Sequence, residues 1–273
     1  MNYSHAFHAG NFADIVKHAG LLAALARLQA HGEGLGVIDT HGGRGLYDLA
    51  APEARRSAEA ERGVARLMEA TAAPAPIRAL QQAVRTLNEG PVARFYPGSP
   101  RLVADRLRPG DSLVVFELNP REASALVAAV GARAGVEVRG ADGYDGGPDL
   151  VGGEGRRLVL IDPPFERGDD YARCAQALSR IRVRAANATV MIWAPLKDLE
   201  TFDAFLRDLE GCGELLIAEV RLRPLRDPLR MNGCALVIAG APPELDSDLE
   251  TLCAWTVAAL GEGGAARVWR QAC

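Results

Sequence analysis

The sequence predicts an α/β domain on a mostly parallel sheet, and three observations carry that prediction. From about residue 113 onward, short apolar runs alternate with amphipathic helical patterns, the rhythm of βαβ units. Several of the runs end in an acidic residue, at the strand end where open α/β sheets bind their ligands. The clearest is Arg157-Leu-Val-Leu-Ile-Asp162-Pro163-Pro164-Phe165, an apolar strand closed by a carboxylate. Two prolines then force an extended loop that cannot continue the ladder.

Taken in order, the chain first shows Asn11 followed by Asp14, a helix-cap pattern, with Ile15, Val16, Ala19, Leu22 and Ala23 at helical spacing behind it. Lys17 and His18 therefore fall in the first two turns. The next strand runs from Gly36 to Asp39 into the turn Thr40-His41-Gly42-Gly43-Arg44-Gly45. Such a glycine-rich turn lets backbone N–H groups approach a nucleotide-like ligand. No strong helix follows at once, which departs from the dinucleotide fingerprint. From about Tyr47 to Arg94 the rhythm breaks into two helical patterns, Ser57 to Ala70 and Pro76 to Asn88, read as a hairpin inserted after the first strand. Its arginines (Arg55, Arg56, Arg62, Arg66, Arg78, Arg85 and Arg94) suit either phosphate or solvent, since acids are interleaved. Ser99-Pro100 reads as an N-cap and N1 pair opening a helix through Leu107.

Strand Leu113–Glu117, helix Arg121–Ala132 and strand Val136–Arg139, leading to Asp142-Gly143, come next. After the strand ending at Asp162, a helix follows from Tyr171 to about Ile181, then strand Thr189–Trp193 and helix Leu199–Leu209. Leu215–Leu222 and Cys234–Ala239 read as an antiparallel pair across a loop holding Arg223, Arg226 and Arg230. The tail with Trp255 and Trp269 reads as a further helix. Expected boundaries are a main domain of 1–46 and 95–273, with 47–94 as the inserted helical subdomain.

Composition narrows the function. A chain of 273 residues with 48% hydrophobic and 24% charged residues is an ordinary globular one. The start lacks a basic region followed by an apolar run, and no apolar stretch is long enough to span a membrane, so a cytoplasmic protein is expected. The five cysteines are scattered and never at C-x-x-C spacing, which argues for reduced thiols. All five histidines lie before residue 42, yet no cysteine or carboxylate cluster completes a ligand set, and no metal is expected. A net charge of −4 argues against indiscriminate nucleic-acid binding but leaves room for a local basic face. No long exposed apolar stripe demands a dimer, so a monomer is expected.

Together, Asp39, Glu117, Asp142 and Asp162 close four strands at one sheet edge, beside a glycine-rich first turn. That arrangement favours a nucleoside-like cofactor, with Glu117 where an acid commonly holds ribose hydroxyls. Seven strands with an antiparallel final pair point, by fold analogy, to the Rossmann-like class I methyltransferases that use S-adenosylmethionine. Asp162-Pro163-Pro164-Phe165 resembles the (Asp/Asn)-Pro-Pro-aromatic clamp of amino-methyltransferases. In such a clamp the carboxylate and the Pro163 carbonyl accept hydrogen bonds from a planar amine. Phe165 offers a stacking face worth about 1–3 kcal/mol. A base paired in a helix cannot reach such a pocket, so the target is single-stranded or flipped out.

The opening Tyr3-Ser-His5-Ala-Phe7-His8-Ala-Gly10-Asn11-Phe-Ala-Asp14-Ile-Val-Lys17-His18 narrows this further. It resembles the N-terminal signature of the RlmJ family, which methylates N6 of one adenine in 23S ribosomal RNA. The resemblance continues through Asp39-Thr-His41-Gly-Gly-Arg-Gly45, Tyr96-Pro-Gly-Ser99-Pro, Asp142-Gly143, Asp162-Pro-Pro-Phe165 and Met231-Asn-Gly233. It implies cofactor contacts from His18, His41, Ser99, Glu117, Asp142, Gly143 and Asp162. Catalysis would rest on Asp162, Pro163 and Phe165, and substrate contacts on Tyr3, Lys17, Pro164 and Phe165. Phe165 stands where the family more commonly has tyrosine, and Asn232-Gly-Cys234 departs from the usual last strand. A guanine-N2 methyltransferase of ribosomal RNA and a non-catalytic, cofactor-binding RNA-interaction protein are the competing readings.

Overall fold

The computed structural model describes residues 9–52, 62–153, 155–224 and 231–272. Helix α1 (Phe12–Gln29) is capped by Asn11, whose side chain accepts from Asp14 N. It is apolar nearly all round and correspondingly buried, packed against later helices and the sheet. Gly20 sits where it meets the sheet: a Cβ there would come within 2.5 Å of Leu236 Cδ1.

Strand β1 (Leu35–Asp39) leads through the glycine-rich turn to β2 (Leu46–Asp48). Then come α2 (Val64–Glu69) and α3 (Ala75–Thr86), and β3 (Phe95–Pro97), which pairs antiparallel with β2. The buried face of α3, Ile77, Leu80 and Val84, packs on α1 and joins the main core. Residues 53–61 lie outside the described residues, and with them Arg55, Arg56 and the first part of the expected helix Ser57 to Ala70.

The chain continues through α4 (Ser99–Ala104), β4 (Ser112–Phe116), α5 (Pro120–Val130), β5 (Val136–Arg139) and the short α6 (Gly143–Gly146). After these come β6 (Arg156–Ile161), α7 (Asp170–Arg184), β7 (Thr189–Leu196), α8 (Leu199–Asp208) and β8 (Leu215–Arg221). The described residues end with β9 (Gly233–Ala239), α9 (Leu245–Leu260) and β10 (Ala265–Gln271). The main sheet has the order β10-β8-β9-β7-β6-β1-β4-β5. β5, β4, β1, β6 and β7 are parallel, while β9 runs antiparallel to both β7 and β8.

Three expectations are corrected. The sheet has eight strands, not seven: β10 adds to the edge of β8. Its pattern is mostly exposed, and Arg267-Val-Trp-Arg270 shows no apolar alternation that would signal a strand. Ser99 does not cap α4. Gly98 is the cap, and the Ser99 hydroxyl instead donates to Asp39 Oδ2 at 2.7 Å. Strand β7 continues past Trp193 through Pro195 to Leu196, beyond the last pairing with β6 at Ile192. There, among the described residues, only β9 pairs with it, and an edge position tolerates the missing proline N–H.

Candidate active site

Every parallel strand near the centre of the sheet delivers its carboxyl end to one edge, and the acids gather there. Asp39 is buried, accepting from Ser99 Oγ and, at 3.2 Å, from His41 N. Burial pushes its carboxyl up to about 6, against the pull of those two bonds. It shapes the turn. Glu117, one residue past β4, accepts from Gly43 N at 2.9 Å and from Asn119 N at 2.7 Å, locking the glycine-rich turn to the next strand end. Asp142 caps α6 through Tyr144 N and pairs with Arg173 at 2.9 Å. Gly143 is required by close approach, since a Cβ there would lie 2.0 Å from Thr40 O.

These elements wall a cleft of about 570 Å³. His18, His41, Ser99, Glu117, Asp142, Gly143 and Asp162, the expected cofactor set, all line it. Lys17 and Pro164 reach it as well. The His18 ring meets the Tyr96 hydroxyl at 2.8 Å. His41 stands edge-on to Tyr144, with its ring centre 4.6 Å away. Burial drives the His41 imidazole down to about 4, despite the carboxylates of Asp162, Asp142 and Asp170 nearby. At neutral pH it is therefore an uncharged hydrogen-bonding ring. The donor set fits a nucleoside-type cofactor: Glu117 for vicinal hydroxyls, Asp142 with the Gly143 turn for an exocyclic amine, and Leu118 and Pro120 as apolar wall.

A second cleft, of about 270 Å³, shares Lys17, Asp162 and Pro164 with the first. Its polar floor is an ion cluster. Lys17 Nζ lies 2.6 Å from Asp162 Oδ2 and 2.9 Å from Asp14 Oδ1, all three side chains almost fully buried. Burial opposes the Lys17 charge, but the two carboxylates overcome it and hold the ammonium well above its ordinary value. Lys17 is thus a fixed cation, and Asp162 offers its other oxygen. The apolar side is formed by Phe165, Trp193, Pro195 and Met231. The Phe165 ring centre is 4.7 Å from that of Tyr171 and 5.8 Å from that of Trp193. Its backbone sits at φ 50°, a conformation that costs a bulky residue about 1–3 kcal/mol and clusters at functional sites. Two contacts steady that turn: the buried ring, and a hydrogen bond from Lys197 Nζ to Phe165 O at 3.2 Å.

Tyr3, expected to touch the substrate, lies outside the described residues, as do His5 and His8. Sequence reasoning placed Asp14 as a cap-box acid and missed its second role on Lys17. It also missed Tyr171, Trp193 and Lys197, whose only sequence signal is their position just beyond or within elements that converge on Asp162. Asp39 was legible as a strand-end acid but not as the partner of Ser99.

Comparison with known proteins identifies the relatives of the chain. The family described as "Ribosomal RNA large subunit methyltransferase D, RlmJ" matches residues 32–271. A protein of Haemophilus influenzae named "Ribosomal RNA large subunit methyltransferase J" is 32% identical over 92% of this chain and 91% of its own length. One of the same name from Escherichia coli is 30% identical over 98% of each. The crystal structure of protein LPL1258 from Legionella pneumophila superposes with a TM-score of 0.88 at 26% identity, covering 97% of this chain and 98% of that one.

Proposed function

The chain belongs to the RlmJ family of ribosomal RNA large subunit methyltransferases, and on that premise we propose that it methylates the exocyclic N6 of an adenine in 23S ribosomal RNA. The observation that carries this reading is the meeting of two clefts at one wall: Lys17, Asp162 and Pro164 line both. A methyl donor on one side and a planar base on the other then face each other across the Asp162 carboxylate.

The larger cleft would hold S-adenosylmethionine, with Glu117 on the ribose, Asp142 and Gly143 on the adenine, and His18, His41 and Ser99 around the amino-acid end. When bound, it supplies an electrophilic methyl group on a sulfonium. The remaining chemistry belongs to the protein. The lone pair of an exocyclic adenine amine is delocalised into the ring, so the nitrogen is a poor nucleophile. Asp162 Oδ2 is held by Lys17, which leaves Oδ1 to accept one amine hydrogen. The Pro163 carbonyl, in the same loop, accepts the second. Two acceptors draw the nitrogen toward tetrahedral geometry and aim its lone pair. Lys17 fixes the orientation of Asp162 through Oδ2 and is itself too strongly held to act as a base. Asp162, directly or through water, takes the proton released after transfer.

Phe165 and Trp193 form the apolar surface against which the base packs. Tyr3, by its place in the N-terminal signature, is assigned to contact the base. Within the insertion proposed over 47–94, the described helix α3 braces α1, the helix carrying Lys17 and His18.

Incubation with labelled S-adenosylmethionine and 23S RNA lacking modification, followed by digestion to nucleosides, tests the proposal. Label in N6-methyladenosine is expected. Label in N2-methylguanosine, or none in RNA, rejects it.

A further inference from the structure

The chain is acidic overall, with a net charge of −4, and most of its described arginines are committed to neighbouring acids. Arg27 pairs with Asp248, Arg44 with Glu122, Arg101 with Asp105, Arg173 with Asp142, and Arg223 with Glu262. Arginines neutralised in this way contribute little to an RNA backbone, which is held by cations that displace its counterions. The cations left uncommitted are therefore informative: Lys197 lines the smaller cleft, and Arg62 and Arg66 belong to the segment that seats against Asn11, one of its lining residues.

One lip is the end of β7. Lys197 lines the cleft, is exposed, and spends one ammonium hydrogen on Phe165 O, leaving two donors for a ligand. The adjacent Asp198 does not neutralise it by pairing, since its carboxylate caps α8 on Thr201 N at 2.7 Å and Thr201 Oγ1 at 2.9 Å. The other lip is where α2 seats against the start of α1. Val64 N donates to Gly10 O at 2.9 Å, and a Cβ on Gly63 would lie 2.9 Å from the Cα of Asn11, itself a cleft residue. Arg62 immediately precedes this contact, and Arg66 lies in the first turn of α2, which the contact seats. Both are exposed, and among the described residues neither has an ion pair or a side-chain hydrogen bond. The acids inside the cleft, Asp14 and Asp162, are matched by Lys17, while Glu166 is exposed at its edge.

We propose that Lys197 on one lip and Arg62 with Arg66 on the other hold the RNA phosphates flanking the flipped-out nucleotide. The strand crosses the mouth between them, and Glu166 keeps the backbone off the floor of the cleft. The proposal rests on the reading of the smaller cleft as the base pocket, and it gives the helical insertion a direct part in RNA binding.

The test is RNA affinity by fluorescence anisotropy, with S-adenosylhomocysteine present and potassium chloride varied. The wild type is compared with the triple variant Arg62→Gln, Arg66→Gln, Lys197→Gln. Each single-strand phosphate contact contributes about 0.7 to the slope of log affinity against log salt, so the triple variant is expected to lose about 2 from that slope. Its affinity for a 23S fragment should fall about tenfold or more at 0.1 M salt. Arg207→Gln, exposed near the far end of α8, is the control and should change neither. An unchanged slope in the triple variant overturns the inference, even where the wild type methylates RNA normally. A wild type that binds RNA through these three residues but leaves no methyl on adenine would instead overturn the function proposed above.

Discussion

Asp162→Asn is expected to lower the single-turnover rate of methyl transfer by about 10³-fold. Its cofactor affinity, measured by calorimetry, should weaken far less. The reason lies in how the carboxylate is shared. Lys17 occupies Oδ2 at 2.6 Å, so the amine can reach only the other oxygen. An asparagine in this place has one acceptor, and the buried ammonium claims it. The amide NH2 is then turned toward the base, where a donor meets a donor. The amine loses its acceptor, and the proton released after transfer loses its destination. Loss of acid–base assistance of this kind typically costs about 10²–10⁴ in rate. Asp162→Ala should lose at least as much. Retention of near-normal rates by either variant would remove Asp162 from the chemistry.

Lys17→Met carries the largest expected effect on stability. It leaves Asp14 and Asp162 buried side by side without their shared cation. Removing one partner of a buried pair costs about 3–5 kcal/mol, because the charge left behind is uncompensated. Lys17 also fixes Asp162 Oδ2, so without it the carboxylate loses the orientation that presents Oδ1 to the amine. Activity should therefore fall along with stability. The double variant Lys17→Met, Asp14→Asn separates the two effects. With one carboxylate neutralised it should recover a good part of the denaturation midpoint while remaining inactive. If Lys17→Met unfolds at the wild-type urea concentration, the ion cluster is not the structural keystone described here.

How far these residues were legible beforehand follows from the range over which each signal acts. The strand-end acids were legible because apolar runs, proline and glycine are local signals. Asp39, Glu117, Asp142 and Asp162 do lie at or just beyond the carboxyl ends of β1, β4, β5 and β6. The Asn11 cap was legible for the same reason. The Lys17–Asp162 pair was not, since it joins residues 145 positions apart and depends on how α1 crosses the sheet. Ser99 looked like a cap because serine before proline often is one. Its hydroxyl went to Asp39 because the next strand over brought a buried carboxylate within reach. The strand β10 was missed because an exposed edge strand needs no apolar alternation. Tyr171 and Trp193 came into view only as neighbours of Phe165, whose left-handed backbone no sequence pattern announced.

The wall shared by the two clefts is where methyl donor and base would meet, and one measurement addresses it directly. A crystal structure with S-adenosylhomocysteine and adenosine 5′-monophosphate should show the cofactor product in the larger cleft. The base should lie in the smaller one, with its N6 within hydrogen-bonding distance of Asp162 Oδ1 and the Pro163 carbonyl. A base bound elsewhere, or one whose N6 points away from Asp162, would contradict the account.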